Sequence, residues 1–179
     1  MAENQMEGKG TQLVCHACGK RWEMDEYGQL AAVDANTEYA HIPDWYSWQR
    51  DCVRREIEDG SYLLDTDVDI AVQVNLDGVC SIGKGHLRHD LDGFHLTGAD
   101  GKLDYRQSPL FSHTLYADYY WYEIGDVIGI GDNEFSYFCF PGDGVSVSKA
   151  RLATEELYKM KKPSRRARTE TDKISEEQG

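Results

Sequence analysis

Five turn signals, Asp77-Gly78, Asp92-Gly93, Asp100-Gly101, Gly131-Asp132-Asn133 and Gly142-Asp143-Gly144, cut the middle of this chain into short runs rich in Val, Ile, Tyr and Phe. An Asp-Gly pair suits the left-handed positions of a tight hairpin turn, so each one marks a place where the chain doubles back. Between these turns lie about seven candidate strands, at 62–64 with 68–75, 79–89, 93–98, 102–107, 113–122, 126–131 and 135–140. Short strands joined by tight turns pair antiparallel. The expected fold is therefore α+β and mainly β, an antiparallel sandwich or a partly open barrel.

Two helices bracket this region. Pro43 and Asp44 suit a first helical turn, and Gly60 suits a helix stop. Between them Trp45, Trp48, Cys52, Val53 and Ile57 share one face, and Arg50, Asp51, Arg54 and Glu58 take the other, which predicts an amphipathic helix over 43–60. Ser148 is the expected N-cap of a second helix that carries Ala150, Ala153, Leu157 and Met160 on one face and ends at Pro163. An antiparallel barrel closed by one C-terminal helix resembles, in layout, PH-like domains. Layout alone assigns no function.

The organisation expected is thus a flexible lead-in over 1–12, a short hairpin with a linker over 13–42, the helix over 43–60, the β domain with its helix over 61–162, and a disordered tail over 163–179. Charge divides along the same lines. Six basic residues and no acid lie between Lys159 and Arg168, four acids and one lysine follow, and residues 1–158 hold a net charge of −16 within an overall −13. A body this acidic repels phosphates, which argues against nucleic acid as its partner. No run approaches the roughly 18 apolar residues of a membrane span, and the start has neither a basic nor an apolar leader segment. Five cysteines without such a leader suit reduced thiols in a cytoplasm.

Cys15-His16-Ala17-Cys18-Gly19 is the sharpest local motif. Two thiolates three apart on a tight turn fit two corners of a tetrahedral zinc site, making Cys15 and Cys18 the candidate metal ligands. A second pair is missing: Cys52, Cys80 and Cys139 stand singly and read as small core residues. His16 and His41 are the remaining candidates for a third ligand. The rival, a redox pair, wants a helix starting at the first cysteine, where this chain has Arg21-Trp22-Glu23-Met24 in strand alternation.

Other constellations read more plainly as structure. His86 and His89 are an odd number of residues apart in a strand, so they point to opposite faces and read as exposed strand histidines, with His95. His113 and Asp118 have the spacing of a His-x4-Asp acyl-transfer pair, but an offset of five in a strand also separates them. Tyr116, Tyr119, Tyr120, Trp121 and Tyr122 make an aromatic-dense strand, either packed under the closing helix or lining a groove.

Three segments, Gly10–Met24, His41–Arg50 and Leu152–Tyr158, together resemble the region that follows the catalytic domain in 1-acyl-glycerol-3-phosphate acyltransferase-like proteins of anaerobic Gram-positive bacteria. The resemblance covers roughly residues 8–160. It implies that Cys15 and Cys18 pair with an upstream CxxC knuckle, which this sequence lacks along with the catalytic domain and its His-x4-Asp motif. The function implied is a non-catalytic accessory or docking domain of a phospholipid-biosynthesis enzyme. Its partner would be the acyltransferase catalytic domain or another protein, and its place cytoplasmic with only indirect membrane contact. The alternative is a stand-alone zinc-dependent interaction module, in which two copies share one four-cysteine site. A small hydrolase or transferase using His113 and Asp118 is a third reading.

Overall fold

The computed structural model describes residues 5–33, 35–75 and 78–163, with the side chains of residues 74 and 75 left out. The chain is mostly β, with two antiparallel sheets and two helices. The first sheet holds β1 (Met6–Lys9), β2 (Gln12–Cys15), β3 (Arg21–Met24) and β4 (Leu30–Ala32) in chain order. β1 falls inside the expected lead-in. With only Met6 apolar, its alternation is invisible, and its place comes from pairing, Met6 opposite Cys15 and Lys9 opposite Gln12. Cys15, Trp22 and Leu30 are buried on one face of this sheet against Trp45. The tail read as disordered lies outside the described residues from 164 onward, as do residues 1–4.

Trp45 belongs to α1 (Ile42–Glu58), which starts one residue before the expected Pro43 and stops at Asp59. Gly60 takes the left-handed conformation of a helix stop (φ 78°), and its N–H donates to the Ile57 carbonyl. Two partners share α1. Trp45 meets Trp22 edge-on, centroids 5.2 Å apart, while Val53 and Ile57 pack with Tyr62, Leu152, Ala153 and Leu157. The latter three lie on α2 (Val147–Lys161). Its N-cap is Ser146, whose hydroxyl accepts the Lys149 N–H, rather than the expected Ser148. Ala150, Ala153 and Leu157 are buried as expected, but Met160 is exposed, because α1 covers the Leu152 side of the helix instead.

The polar face of α1 also finds partners. Arg50 donates to Glu155 and Glu156, Arg54 donates to Glu156, and Lys149 pairs with Glu56. The Glu156 side chain is 2% exposed. Burial pushes its carboxyl up, yet Lys159, Arg50 and Arg54 outweigh that and hold it at about 2.

The second sheet contains β5 (Leu64–Asn75), β6 (Gly78–Asp90), β7 (Gly93–Gly98), β8 (Leu103–Gln107), β9 (Tyr116–Trp121), β10 (Gly125–Gly131) and β11 (Ser136–Pro141). Its order is β8-β7-β6-β5-β11-β10-β9, antiparallel throughout. Each strand falls within a few residues of its expected place. It is one open sheet and not a closed barrel, with β8 and β9 as its edges, in keeping with the expected α+β, mainly β fold. The sheet coils enough that edge strand β8 reaches its far half. Gln107 accepts the Gly131 N–H at 3.1 Å, and the Tyr105 and Tyr137 rings lie 5.2 Å apart.

The inner face is a single core of Val68, Ile70, Leu87, Phe94, Leu96, Leu115, Ile128, Ile130 and Cys139, covered by Val147 and Ala150 of α2. Burial lifts the Cys139 thiol to about 12, so it stays neutral as a small core group. Cys80, expected in the core, is exposed, and Cys52 is half-buried. Gly85 and Gly98 oppose each other under Ile70. A Cβ on Gly85 would sit 2.3 Å from the Ile70 Cδ1, so glycine there lets β6 and β7 run beneath that side chain.

His89 is a further departure. It is buried at 1% exposure, stacked on Phe94 with ring centroids 3.7 Å apart, and hydrogen-bonded through Nδ1 to the Tyr62 hydroxyl at 2.9 Å. Its offset from His86 does place the two on opposite faces, but His89 takes the covered one. Burial holds its imidazole at about 3.

Candidate functional site

The outer face of the large sheet has two unlike halves. On β5 to β8 it is a charge ladder. His86 sits between Asp65 (2.5 Å) and Asp67 (2.9 Å), His95 pairs with Asp104, and Arg88 with Asp90. Hydrogen bonding to Asp67 and Asp65 raises the His86 pKa above its ordinary value.

On β9 to β11 the outer face is aromatic. Its geometry starts at the β9–β10 turn, where Tyr120 (φ 53°), Tyr122 (φ 46°) and Glu123 (φ 62°) are all left-handed. Bulky residues rarely adopt that region, and the register shifts between Gly125 and Val127 as a result. The distortion turns Trp121 back over the sheet. Its indole stacks on Phe138 (4.9 Å, 16° between planes) and leans on Phe140 (5.7 Å), while Tyr122 meets it edge-on at 4.6 Å. Tyr116 approaches Phe138 edge-on at 6.0 Å. Tyr116 lies down because its strand neighbour is Gly129, where a Cβ would come within 2.7 Å of the Tyr116 ring.

An open groove of about 850 Å³ runs along this shelf, lined by Phe111, Tyr116, Trp121, Tyr122, Ile124 and Phe138, with Asp132 at its rim. Part of the shelf faces water: Tyr116 is 49% exposed and Tyr122 80%, while Trp121 is half-buried. Aromatic surface left open beside a groove is a mark of a binding site.

Electrostatics give the shelf a sign. From Gln107 to Ser148 the sequence holds Asp118, Glu123, Asp126, Asp132, Glu134 and Asp143, but no lysine or arginine. Backbone N–H groups of Phe135 and Glu134 keep the Asp132 carboxyl below the usual range, so it is ionised at neutral pH. Two of the acids also guard the free edge. Asp118 accepts the Tyr119 N–H at 2.8 Å and Asp126 accepts the Tyr120 N–H at 3.1 Å, so those amides do not offer themselves to an added strand. A ligand therefore meets side chains here: π faces with the Asp132 carboxylate beside them.

The residues expected to carry chemistry are not brought together. His113 precedes β9 instead of lying in it, and its ring packs edge-on against Tyr158 of α2 at 6.2 Å. Asp118 is engaged with the Tyr119 amide. The two have separate partners, for a reason other than strand alternation.

At the knuckle, Gly19 is left-handed (φ 71°) and its N–H donates to the Cys15 carbonyl at 2.8 Å, closing the tight turn. Cys15 is buried with Trp22, Leu30 and Trp45, and Cys18 is exposed. His16 turns to Glu7 at 2.8 Å. Among the described residues, no group of three or more His, Cys, Asp or Glu converges on a point where a metal could sit. The residues described therefore supply at most two corners of a zinc site and do not complete one.

The aromatic run was legible in the sequence, but two parts of the shelf were not. Phe138 and Phe140 join it through strand register, and the 42-residue stretch without a basic residue is a count that the sequence offered all along. Among the described residues no helix is long and apolar enough to cross a membrane. Comparisons with protein-family models, with curated proteins and with solved structures return no match for this chain.

Proposed function

We propose that this chain is a docking domain that takes an arginine- or lysine-bearing segment of a protein partner on the aromatic outer face of β9 to β11. The observation that carries the reading is the coincidence of exposed Tyr116 and Tyr122, beside half-buried Trp121, with six carboxylates and no basic residue over Gln107–Ser148. Each guanidinium over an aromatic face contributes about 0.5–2 kcal/mol, so two or three such contacts give about 1–6 kcal/mol, a weak and reversible association. The net charge of −16 over residues 1–158 disfavours polyphosphates and anionic membranes as rivals for the surface. An accessory role beside an acyltransferase catalytic domain, as the sequence resemblance implies, is one setting for such docking.

The test is a titration of the chain with a fluorescein-labelled ten-residue peptide of alternating Arg and Ser, against its Glu-Ser counterpart, at low and moderate salt. The Arg peptide binds, weakens with salt, and shifts the amide resonances of Tyr116, Trp121 and Tyr122. Equal binding of the Glu peptide, or shifts confined to other elements, overturns the reading.

A further inference from the structure

We propose a second binding site in this chain, one that takes a phosphate monoester, in the cleft between the β8–β9 connection and one face of α2. The helical period puts Arg151, Glu155, Tyr158 and Lys162 on a single stripe of α2, with Lys159 beside it. An open cleft of about 760 Å³ runs along that stripe. His113 lines it from the connection, its ring edge-on to Tyr158 at 6.2 Å. The site uses none of the shelf's aromatic or acidic residues and does not depend on the docking reading.

Charge singles this cleft out. Around Glu155 and Glu156 four cations share three carboxylates: Arg50 and Arg151 meet Glu155, Arg50, Arg54 and Lys159 meet Glu156, and Arg54 also meets Asp51. Lys162 is a fifth cation, set over the Tyr158 ring at 5.3 Å. The network thus holds a surplus of two positive charges, within residues 1–158 that sum to −16. The surplus faces the cleft: the Arg50 side chain is 20% exposed, whereas Arg151 is 49% and Lys159 57%.

Glu155 is the carboxylate that lines the cleft, and its charge is already matched. Arg50 donates to it at 2.6 Å, the Thr114 hydroxyl donates at 3.3 Å, and Arg151 approaches through Nε at 3.4 Å. Burial alone would raise its carboxyl, yet Arg50 and Arg151 hold it below the usual range. An arginine engaged through Nε still carries its Nη hydrogens, the fork that fits phosphate oxygens.

A guanidinium and two ammonium groups offer donors only, and a surplus of two suits a dianion with three acceptor oxygens. A phosphate monoester carries about −1.5 to −2 at neutral pH, where a carboxylate brings half the charge. Size decides between phosphates. Screening acts over about 8 Å at physiological salt, so a compact dianion feels the cleft and little of the acids elsewhere. A polynucleotide or an anionic bilayer spreads its charge over the whole acidic body and is repelled.

The test titrates the full chain with methyl phosphate, with a five-residue phosphoserine peptide and with acetate, at constant ionic strength, following amide resonances. Methyl phosphate is expected to shift Thr114, Arg151 and Lys159 saturably, and acetate to bind at least fivefold more weakly. Arg151→Gln and Lys162→Gln change exposed side chains, and each is expected to weaken methyl phosphate at least threefold. Lys102→Gln, outside the cleft, stays within twofold of the unaltered chain. Tighter binding of the phosphopeptide assigns the ligand to a phosphorylated protein segment, and equal binding assigns it to a small phosphorylated molecule. Equal binding of acetate, an equal loss in all three variants, or no saturable shift overturns the proposal.

Discussion

The indole of Trp121 lies nearly flat on the ring of Phe138, and it does so only because the residue before it, Tyr120, is in the left-handed region. Trp121 is thus the half-buried floor of the shelf. Trp121→Ala is expected to weaken the Arg-Ser peptide at least tenfold while costing about 1–3 kcal/mol of stability, since half-buried aromatic contacts on an outer face are lost but the inner core is untouched. Peptide titration and urea unfolding of the same sample check both. Unaltered peptide affinity would count against the site.

Gly129→Ala tests the other end of the shelf without removing an aromatic. The added methyl meets the base of the Tyr116 side chain, with the ring Cδ1 at 2.7 Å and Cβ at 3.2 Å, so the ring must turn and the strand give slightly. The expected outcome is a folded protein, destabilised by about 1 kcal/mol, whose peptide affinity falls at least threefold. Changed Tyr116 ring resonances report the displacement directly.

Glu156 joins three cations from two helices while almost wholly buried. Glu156→Gln removes the carboxylate that joins them, leaving Arg50 with Glu155 and Arg54 with Asp51, and is expected to cost about 2 kcal/mol in urea unfolding at pH 7. The carboxylate's contribution is complete above the unfolded-state value of 4.5 and fades as pH falls toward about 2. The gap between the two proteins accordingly narrows over that window.

His89 produces a pH dependence of its own. Its imidazole stays neutral in the fold down to about 3, while the unfolded chain protonates near 6.5, so protons favour unfolding between those values. Stability is expected to fall by up to about 1.4 kcal/mol per pH unit below 6.5. His86, whose pKa is raised by Asp67 and Asp65, contributes with the opposite sign: its stabilisation is present below 6.5 and lost as pH rises through its folded value. Unfolding of the unaltered chain and of His89→Gln at pH 7.5 and 5.0 separates the two, because the variant loses less on acidification.

The four-stranded sheet has an apolar core of its own in Cys15, Trp22, Leu30 and Trp45. Chelation by EDTA is therefore expected to leave the near-UV signal of Trp22 and Trp45 unchanged. Cys15→Ala is expected to cost about 1–2 kcal/mol as a packing change, and Cys18→Ala almost nothing. Collapse of that signal on chelation would instead show that the knuckle depends on a metal.

Legibility followed the kind of force that places each element. The β5–β8 strands were visible because side-chain alternation and Asp-Gly turns are local: Gly93, at φ 105°, sits where its pair with Asp92 predicts a reversal. β1 escaped notice because Met6-Glu7-Gly8-Lys9 is held by its partner strand, a relationship no window of sequence contains. His89 was expected in water because offset alone says which residues share a face, never which face is covered. The site was half visible. Tyr116 to Tyr122 announced aromatic density, but the turn of Trp121 onto Phe138 depends on left-handed Tyr120, Tyr122 and Glu123, and no glycine or asparagine stands there to signal it.

The position of α1 bears on how the molecule answers a pull. The small sheet grips one end of the helix through Trp22 and Trp45, while α2 grips the rest through Arg50, Arg54, Val53 and Ile57. Tension on the N-terminal strands would load α1 along its axis, so that ion pairs and apolar contacts yield together in shear and no hydrogen-bonded strand is peeled rung by rung. The helix is the mechanical coupling between the small sheet and the large one, so a force applied to the first is felt by the second through α2.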